Sequence, residues 1–337
     1  MIPAGAKRIL AVRVGRGGDL VMITPALRML LDGFPDAELE LLSSEDGLRI
    51  LRGFDPRLAR FHVYHRRFPG SLLLRSGLRR ALRERGYGRI YLFESHPHYR
   101  SLVDGAAPEI RALAAGPPGR HYSDRCLDLV EPTLARPRPR GWISLPVTEV
   151  ARAAAKDYLA AHGLADGDRL IGLHLTFHET GRGLFAGRRG VRNRMWSPAA
   201  GAQLAQRLVE HGRAQGRPIR PVVDVLPHER GLLAGFLERA GTAVTVLAGP
   251  PDFERYKAVL ARLELLVTPN TGPMHVAAAV GTPVVALFAG WSPAECGPFV
   301  PPERARILRA EDTAEPRRGL AAISAGAVFE ACRAFLS

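Results

Sequence analysis

The sequence contains little lysine, little cysteine and no long apolar run. Only three of its 47 basic residues are lysine, so arginine carries almost all of the formal net charge of +14. The three cysteines, Cys126, Cys296 and Cys332, are an odd number without metal-ligand spacing, which argues against a disulfide framework and a zinc site. No run approaches the roughly eighteen apolar residues of a membrane span. The apolar part of the N-terminal segment is short and interrupted by Arg13, so we expect no targeting signal and a cytoplasmic protein.

The excess of arginine has more than one explanation. A positive long-range field suits a phosphorylated acceptor, an anionic membrane surface or nucleic acid, and compositional bias can account for part of it. No basic stretch is interleaved with stacking aromatic residues, and no zinc-finger spacing is present. The sequence therefore disfavours nucleic acid as a partner and leaves peripheral contact with the inner face of an anionic membrane open.

The chain has 337 residues, which suggests two domains, and apolar strand patterns alternate with helical patterns in two sets. The first set has strands near 8–14, 38–43, 60–64 and 89–93, and helices near 20–32, 46–52, 71–86 and 121–131. The arginine- and proline-rich segment 135–146 is expected to be a stiff connector. The second set has a helix near 149–163, strands near 169–174, 219–225, 244–247, 265–268 and 284–288, and a last helix near 327–336. We predict domains at 1–147 and 148–322, with residues 323–337 packing near the domain junction.

Residues 265–289 read as a strand, a tight turn, a short helix and a second strand. The runs at 265–268 and 284–288 are apolar and too short for helices, which is typical of strands buried on both faces of a parallel sheet. Gly281 and Pro283 are expected to end the helix between them.

The turn from Asn270 to Gly272 supplies side chains that can cap this helix, and Pro273 suits a first helical position. The N–H groups at the helix start and the positive end of its dipole form a pocket suited to phosphate. Many crossovers carry such a turn without a ligand, so the residues alone leave both readings open.

The strand at 8–14 runs into a glycine-rich loop that ends at Asp19. Glycine at Gly17 and Gly18 allows a substrate to approach the backbone closely and permits φ above zero. An isolated Gly-Asp favours an ordinary helix cap for Asp19, but a carboxylate at this position can also accept a proton from a substrate hydroxyl. A dinucleotide-binding loop is disfavoured because the third glycine of G-x-G-x-x-G is absent.

Both segments resemble glycosyltransferase family 9, the ADP-heptose:lipopolysaccharide heptosyltransferases. The family's donor signature reads D-T-G-P-M-H-x-A-A-x-x-G-T-P, and residues 271–283 fit it. The family's first strand, its loop ending in Gly-Asp and its T-x-P-A-L-like helix resemble residues 8–27. Looser resemblance covers residues 88–101, 121–129, 171–176 and 194–198. The resemblance implies the GT-B architecture of the α/β class, two Rossmann-like doubly wound domains facing a central cleft.

The same resemblance implies an inverting, metal-independent glycosyltransferase that moves a heptose-like sugar from ADP-heptose to a hydroxyl of an anionic glycan or glycolipid, such as the lipopolysaccharide inner core. Asp19 would be the general base and Arg194 would neutralise the departing diphosphate, with no metal or other cofactor. The residues implied to bind the donor are Thr176, Arg194, Glu229, Asn270, Thr271, Gly272, Pro273, Met274 and His275. Those implied to bind the acceptor are Gly17, Gly18 and Arg100.

Three features depart from the family pattern. Asn270 replaces the usual aspartate, and because an amide donates as well as accepts hydrogen bonds, the sugar preference can shift. Residues 94–98 replace the family's usual polar sequence, and His96 and His98 there either line the cleft or are solvated. The Gly- and Arg-rich segment 177–193 is either a loop that closes over the donor phosphates or a solvated insertion.

Alternatives from other functional classes remain open. The chain could use another nucleotide sugar on a small-molecule acceptor, or be a non-catalytic relative that only binds a sugar nucleotide. A surface-binding module would instead show an affinity dominated by arginine charge and falling steeply with salt.

Overall fold

The structure is a computed structural model that describes residues 8–65, 71–114, 116, 118–176, 195–226, 229–249 and 252–336. The chain divides into two compact units, Met1–Pro146 and Val147–Ser337. The segment 177–193 and Arg194 lie outside the described residues, so the predictions made for them are not addressed by the fold.

The first unit is a five-stranded parallel sheet with helices around it. Its strands are β1 (Arg8–Arg13), β2 (Glu38–Ser43), β3 (Leu58–Val63), β4 (Arg89–Leu92) and β5 (Glu109–Ala112). Its helices are α1 (Gly17–Met22), α2 (Thr24–Gly33), α3 (Glu45–Leu51), α4 (Ser71–Glu84), α5 (Pro97–Val103) and α6 (Tyr122–Val130). The strand order β3-β2-β1-β4-β5 places β1 at the centre, and all pairs are parallel.

The second unit is a six-stranded parallel sheet of order β11-β10-β9-β6-β7-β8. Its strands are β6 (Arg169–Leu173), β7 (Ile219–Val225), β8 (Thr245–Ala248), β9 (Leu265–Pro269), β10 (Val284–Phe288) and β11 (Ala305–Arg309). Its helices are α7 (Glu149–Ala160), α8 (Pro198–Ala214), α9 (Arg230–Ala240), α10 (Phe253–Arg262), α11 (Gly272–Ala279), α12 (Pro293–Cys296) and α13 (Ala325–Arg333). β9 and β10 are buried along their whole length, as predicted from their apolar sequences.

The two edge strands β5 and β11 were not predicted. Their sequences, EIRA and ARILR, carry charged residues and are only partly buried. An edge strand has solvent beside it, so it tolerates charges that break the apolar run by which a central strand is recognised. Sequence periodicity therefore found the centre of each sheet and missed one edge of each.

The single helix expected at 20–32 is two helices, broken at Ile23. Pro25 has no N–H and so cannot donate to the carbonyl of Val21. That carbonyl accepts instead from the hydroxyl of Thr24, at 2.8 Å, and from the backbone N–H of Ile23.

The last helix, α13, packs within the second unit. Val328 and Cys332 are fully buried against the α8 residues Leu204 and Leu208 in the same apolar cluster. Residues 134–148, which include the predicted connector, form no α-helix or strand, and Ile143 within them is buried. Among the described residues, no helix is long and apolar enough to cross a membrane.

Candidate active site

The turn between β9 and α11 leaves the start of the helix without a side-chain cap. Thr271 occupies the N-cap position, but its hydroxyl does not accept from the helix. It lies 3.3 Å from the carbonyl oxygen of Pro269 and 3.0 Å from the hydroxyl of Thr268. The prediction that side chains of this turn cap the helix is therefore wrong, because Thr271 folds back onto the strand. The N–H groups of the first turn keep the capacity to bind an anion.

The rest of the helix follows the sequence prediction more closely. Pro273 lies in the first turn, and Gly281, just past the helix, has φ of 91°, a conformation that favours glycine. The side chains of Met274 and His275 are buried within the unit. A ligand at this turn would therefore meet Met274 through its backbone amide.

Asn270 lies at the end of β9 and contacts a cysteine. Its Nδ2 donates to Sγ of Cys296, in α12, at 3.5 Å. With Nδ2 engaged by sulfur, Oδ1 is the group of this side chain that can accept from a ligand hydroxyl. Cys296 is partly exposed, whereas Cys126 and Cys332 are buried, and none of the three forms a disulfide among the described residues.

Thr176 and Glu229 are both buried but differ in their partners. The hydroxyl of Thr176, just beyond β6, has no hydrogen-bond partner among the described residues. The carboxylate of Glu229 accepts from the backbone N–H of Leu226 at 3.1 Å and so closes the turn after β7. Glu229 directly precedes α9, so the structure gives it a helix-starting role, and its predicted contact with ribose stays a prediction.

A buried histidine, His174, and a partly buried aspartate, Asp224, that sequence reasoning did not pair lie at the ends of β6 and β7. Nδ1 of His174 is 2.9 Å from both carboxylate oxygens of Asp224, and the hydroxyl of Tyr256 donates to Asp224 at 3.3 Å. Burial lowers the pKa of His174, but the neighbouring Asp224 carboxylate outweighs burial, so the pKa is raised overall. Burial, with the Asp224 charge, raises the pKa of Tyr256 well above its usual value.

Strand register explains why these groups meet. Leu173 pairs with Val223 on β7 and with Val267 on β9, and all three belong to one apolar cluster. One residue further along each chain segment come His174, Asp224 and Thr268. Because successive side chains in extended chain point to opposite faces of the sheet, these three polar side chains form a row on the face opposite the apolar cluster. The only sequence signal was a polar residue interrupting each apolar strand near its carboxyl end.

Asp19 lies in the first turn of α1 and is held through one of its oxygens. Its Oδ2 accepts from the backbone N–H of Arg16 at 3.1 Å and pairs with Nη2 of Arg13 at 3.2 Å. Its Oδ1 has no hydrogen-bond partner among the described residues, and its side chain is 36% exposed. Asp19 thus has one fixed oxygen and one that can accept from a ligand.

Arg13, which the sequence did not single out, connects several groups around Asp19. Its Nη1 donates to Oε2 of Glu94 at 2.9 Å and to the carbonyl of Phe93 at 3.1 Å, and its guanidinium lies 4.7 Å from the centre of the Tyr122 ring. Burial lowers the pKa of Arg13, but Tyr122, Asp19 and Glu94 together raise it above its usual value. Arg13 is therefore a fixed cation.

The glycines of the loop are needed for packing and not for positive φ. A Cβ on Gly15 would lie 2.8 Å from Cβ of Asp19, and one on Gly17 would lie 3.0 Å from Ile50 Cδ1. Gly17 and Gly18 are the first residues of α1, and neither has positive φ. The expected freedom at these two positions is therefore not used for a left-handed conformation.

Arg100 lies on α5, beside a cavity of about 450 Å³ in the first unit. Glu94, His96 and Leu113 also line this cavity. Nε of Arg100 donates to Asp104 at 3.0 Å, and its side chain is 46% exposed. Glu94 therefore both lines this cavity and contacts Arg13.

The two histidines in residues 94–98, the segment that differs from the family pattern, have defined hydrogen-bond partners. Nδ1 of His96 accepts from the backbone N–H of His98 and caps α5. Nε2 of His98 lies 2.8 Å from the hydroxyl of Tyr64. His96 lines the cavity and His98 is bonded, so neither residue is merely solvated.

Within the part of the chain that the structure describes, no three His, Cys, Asp or Glu side chains are grouped so as to hold a metal ion. The predicted site residues fall into two sets. Gly17, Gly18, Asp19 and Arg100 lie in the first unit, and the donor-binding set lies in the second.

Sequence comparison matches the second unit to one family. Residues 228–321 match the model of glycosyltransferase family 9 (heptosyltransferase). The lipopolysaccharide core heptosyltransferase OpsX of Haemophilus influenzae is 33% identical over 55 residues, which are 16% of this chain and 16% of that protein. The aligned part thus spans about a sixth of the curated relative. These matches confirm the resemblance predicted from the donor signature.

Solved structures match the chain over nearly its whole length. A glycosyltransferase family 9 protein from Veillonella parvula superimposes with a TM-score of 0.80 at 22% identity, covering 98% of this chain and 97% of that one. The ADP-heptose lipopolysaccharide heptosyltransferase II of E. coli gives a TM-score of 0.75 at 20% identity, covering 98% of both chains. These similarities confirm the predicted GT-B fold class, with two parallel α/β units.

Proposed function

This chain is a relative of glycosyltransferase family 9, and on that basis we propose that it transfers a heptose-like sugar from ADP-heptose to an acceptor hydroxyl, with inversion and without a metal ion. The observation that carries the proposal is the β9–α11 turn. It lies inside the segment that matches the family, and no side chain caps its helix. A helix start in this state offers N–H groups and a positive dipole end to a diphosphate.

Asp19 is the proposed general base. Its Oδ1 accepts the acceptor proton while the acceptor oxygen forms a bond to the anomeric carbon of the donor sugar. The bond from that carbon to the diphosphate oxygen breaks on the opposite face, so the configuration inverts. The fixed Oδ2 limits rotation of the carboxylate, which favours a productive approach.

The departing diphosphate is stabilised by the donor turn. The amides of Gly272 and Met274 are proposed to donate hydrogen bonds to its oxygens, and the guanidinium of Arg194 to offset its charge. The hydroxyl of Thr271 is proposed to donate to it as well, after turning away from the carbonyl of Pro269. Thr176 adds a buried hydroxyl whose hydrogen-bonding capacity no described residue uses. These fixed donors supply the electrostatic stabilisation that a divalent metal gives in other transferases.

The donor contacts are proposed from the same edge of the second sheet. Pro273 and His275 shape the turn, Oδ1 of Asn270 accepts from a sugar hydroxyl, and Glu229 lies toward the ribose. ADP-heptose is favoured as donor because the heptosyltransferase of E. coli that shares this fold is named for it. Asn270 replaces the family's usual aspartate, and its amide both donates and accepts hydrogen bonds. Another nucleotide sugar is therefore the main competing donor.

The proposed acceptor is an anionic glycan or glycolipid, such as the lipopolysaccharide inner core. It is bound by the first unit near Gly17, Gly18 and Arg100, beside the cavity lined by Arg100 and His96. The proposal includes a cytoplasmic location and peripheral contact with an anionic membrane through arginine charge. The proposal includes no nucleic-acid partner.

The test combines a donor panel with variants of the base. Binding and turnover are measured with ADP-heptose and with ADP-, GDP-, UDP- and dTDP-hexoses, using a Kdo-terminated lipid A as acceptor. Turnover with ADP-heptose, lost by at least about a hundredfold in Asp19→Asn, supports the proposal. The matched control is Asp36→Asn, which changes an exposed aspartate in the same unit and should keep full activity.

Three outcomes would contradict the proposal. If another donor is used and ADP-heptose is neither bound nor turned over, the assignment of the donor is wrong. If Asp19→Asn retains the turnover of the unaltered protein, Asp19 is not the base. Binding of a sugar nucleotide without any turnover would identify a non-catalytic relative.

A further inference from the structure

Arg13 is a largely buried arginine that contacts two carboxylates at the carboxyl end of β1. One terminal nitrogen, Nη1, contacts Oε2 of Glu94 at 2.9 Å, and the other, Nη2, contacts Oδ2 of Asp19 at 3.2 Å. Its side chain is only 14% exposed. The planar guanidinium therefore fixes the positions of both acids relative to each other.

Glu94 is in turn held at its second oxygen. Its Oε1 accepts from the backbone N–H of Val14 at 2.9 Å, so the carboxylate bridges β1 and the chain that leaves β4. It also lines the cavity beside Arg100. Glu94 is thus anchored independently of Asp19 and competes with it for the same positive charge.

The chain packs closely around this pair. A Cβ on Gly15 would lie 2.9 Å from Oδ2 of Asp19 and 3.0 Å from Nε of Arg13. Tyr122 covers the guanidinium and donates its hydroxyl to the carbonyl of Phe93 at 2.7 Å. The titratable groups that face Arg13 are therefore Asp19 from α1, Glu94 from the segment after β4, and Tyr122 and Cys126 from α6.

We propose that Arg13 and Glu94 are positioning residues that together set the orientation and the basicity of Asp19. The inference rests on the proposed function, because it treats Asp19 as the base. Arg13 fixes Oδ2 so that Oδ1 stays available to the acceptor hydroxyl. Glu94 takes up part of the guanidinium charge, so Asp19 is not the only carboxylate that offsets Arg13.

Glu94→Gln is the most direct test. The amide oxygen can still accept from Val14, but the side chain no longer carries the negative charge that offsets Arg13. Asp19 then loses its proton more readily and accepts one less well. We expect the acidic limb of the pH profile of kcat to move to lower pH by about one unit. The plateau above it should fall about three- to tenfold, with KM for ADP-heptose unchanged.

Arg13→Lys tests the orienting role. Lysine keeps the charge but lacks the planar fork, so it cannot hold both acids in one geometry. We expect kcat to fall by about tenfold, KM for ADP-heptose to stay the same and the acidic limb to move little.

The control pair comes from the same unit. Arg89 is a buried arginine on β4 that pairs with Glu109 on β5 at 2.6 Å, and neither residue belongs to the proposed site. Arg89→Lys and Glu109→Gln disturb a comparable ion pair and should leave both kcat and its pH profile unchanged. Melting temperatures of all four variants show whether each remains folded.

The outcomes separate this inference from the proposed function. If Asp19→Asn is inactive and the Glu94→Gln profile superimposes on that of the unaltered protein, the role of Glu94 is wrong and the base assignment stands. A uniform loss of activity in Glu94→Gln with an unmoved acidic limb also overturns the inference, since it reports structural damage alone. If Asp19→Asn is fully active, the proposed function fails and this inference fails with it.

Discussion

Nδ1 of His174 lies 2.9 Å from both carboxylate oxygens of Asp224, across the neighbouring strands β6 and β7. An ionised carboxylate only accepts hydrogen bonds, so Nδ1 must carry a proton. Tyr256 adds a third contact, on Asp224, from α10. The pair lies at the carboxyl end of a parallel sheet, the edge at which open α/β sheets bind their ligands.

The pair makes stability depend on pH. The pKa of His174 is raised above 6.5 in the folded chain, so its ion pair contributes fully below the unfolded pKa, and the contribution is lost as pH rises through the folded pKa. We expect the difference in unfolding free energy between the unaltered protein and Asp224→Asn to be about 2 kcal/mol at pH 6 and to shrink as the pH is raised toward 9. Urea unfolding at each pH measures it. The exposed Asp312→Asn is the control, and a difference that grows with pH would show that the sign is wrong.

Gly15 has no room for a side chain. A Cβ at this position would lie 2.8 Å from Cβ of Asp19, so Gly15→Ala must displace either the loop or the proposed base. We expect kcat to fall at least about tenfold while the protein stays folded. The matched control is Gly77→Ala, because a Cβ on Gly77 of α4 would meet nothing within 4 Å and alanine favours a helix. Full activity in Gly15→Ala would show that the placement of Asp19 does not matter for turnover.

Chelation should not affect the reaction. In the proposed mechanism, backbone amides and guanidinium charge stabilise the departing diphosphate, so no bound cation is needed. Turnover measured after dialysis against EDTA should equal that of untreated protein, and added Mg²⁺ or Mn²⁺ should not raise it. Activity that disappears with EDTA and returns with either cation would reject the metal-independent mechanism. A retained anomeric configuration in the product, determined by NMR, would reject inversion.

The three thiols should differ in reactivity. Burial raises the pKa of Cys126 and of Cys332 to about 12, so both stay protonated and shielded at neutral pH. Cys296 is partly exposed and contacts Asn270 of the donor turn. We expect iodoacetamide to label Cys296 first and ADP to slow that labelling severalfold, as followed by peptide mass spectrometry.

Two controls define the labelling result. Protein unfolded in urea should be labelled at all three cysteines at similar rates. Inorganic phosphate at the same concentration as ADP should protect less, since it lacks the nucleoside. Labelling of Cys296 that ADP does not affect would indicate that the nucleotide binds elsewhere.

Local sequence was sufficient to predict the strand–turn–helix–strand segment at 265–288 and the central strands. β9 and β10 are buried on both faces, so their apolar sequences are nearly continuous, and Gly281 is required by the positive φ that ends α11. Those constraints act on neighbouring residues, and the sequence displays them directly. The GT-B fold class and the resemblance to family 9 were predicted from sequence motifs such as the signature at 271–283, and the comparisons confirm both.

Side-chain partnerships were decided by tertiary structure alone. Arg13 and Glu94 are 81 positions apart and meet because β1 and β4 are neighbours in the sheet. His174 and Asp224 meet through the register of β6 and β7. The sequence by itself determined the central strands and the strand–helix–strand segment at 265–288, because that information is local, whereas it missed the charged edge strands β5 and β11. The positions of charges around Asp19 depend on contacts between distant segments, which exist only once the sheets have formed.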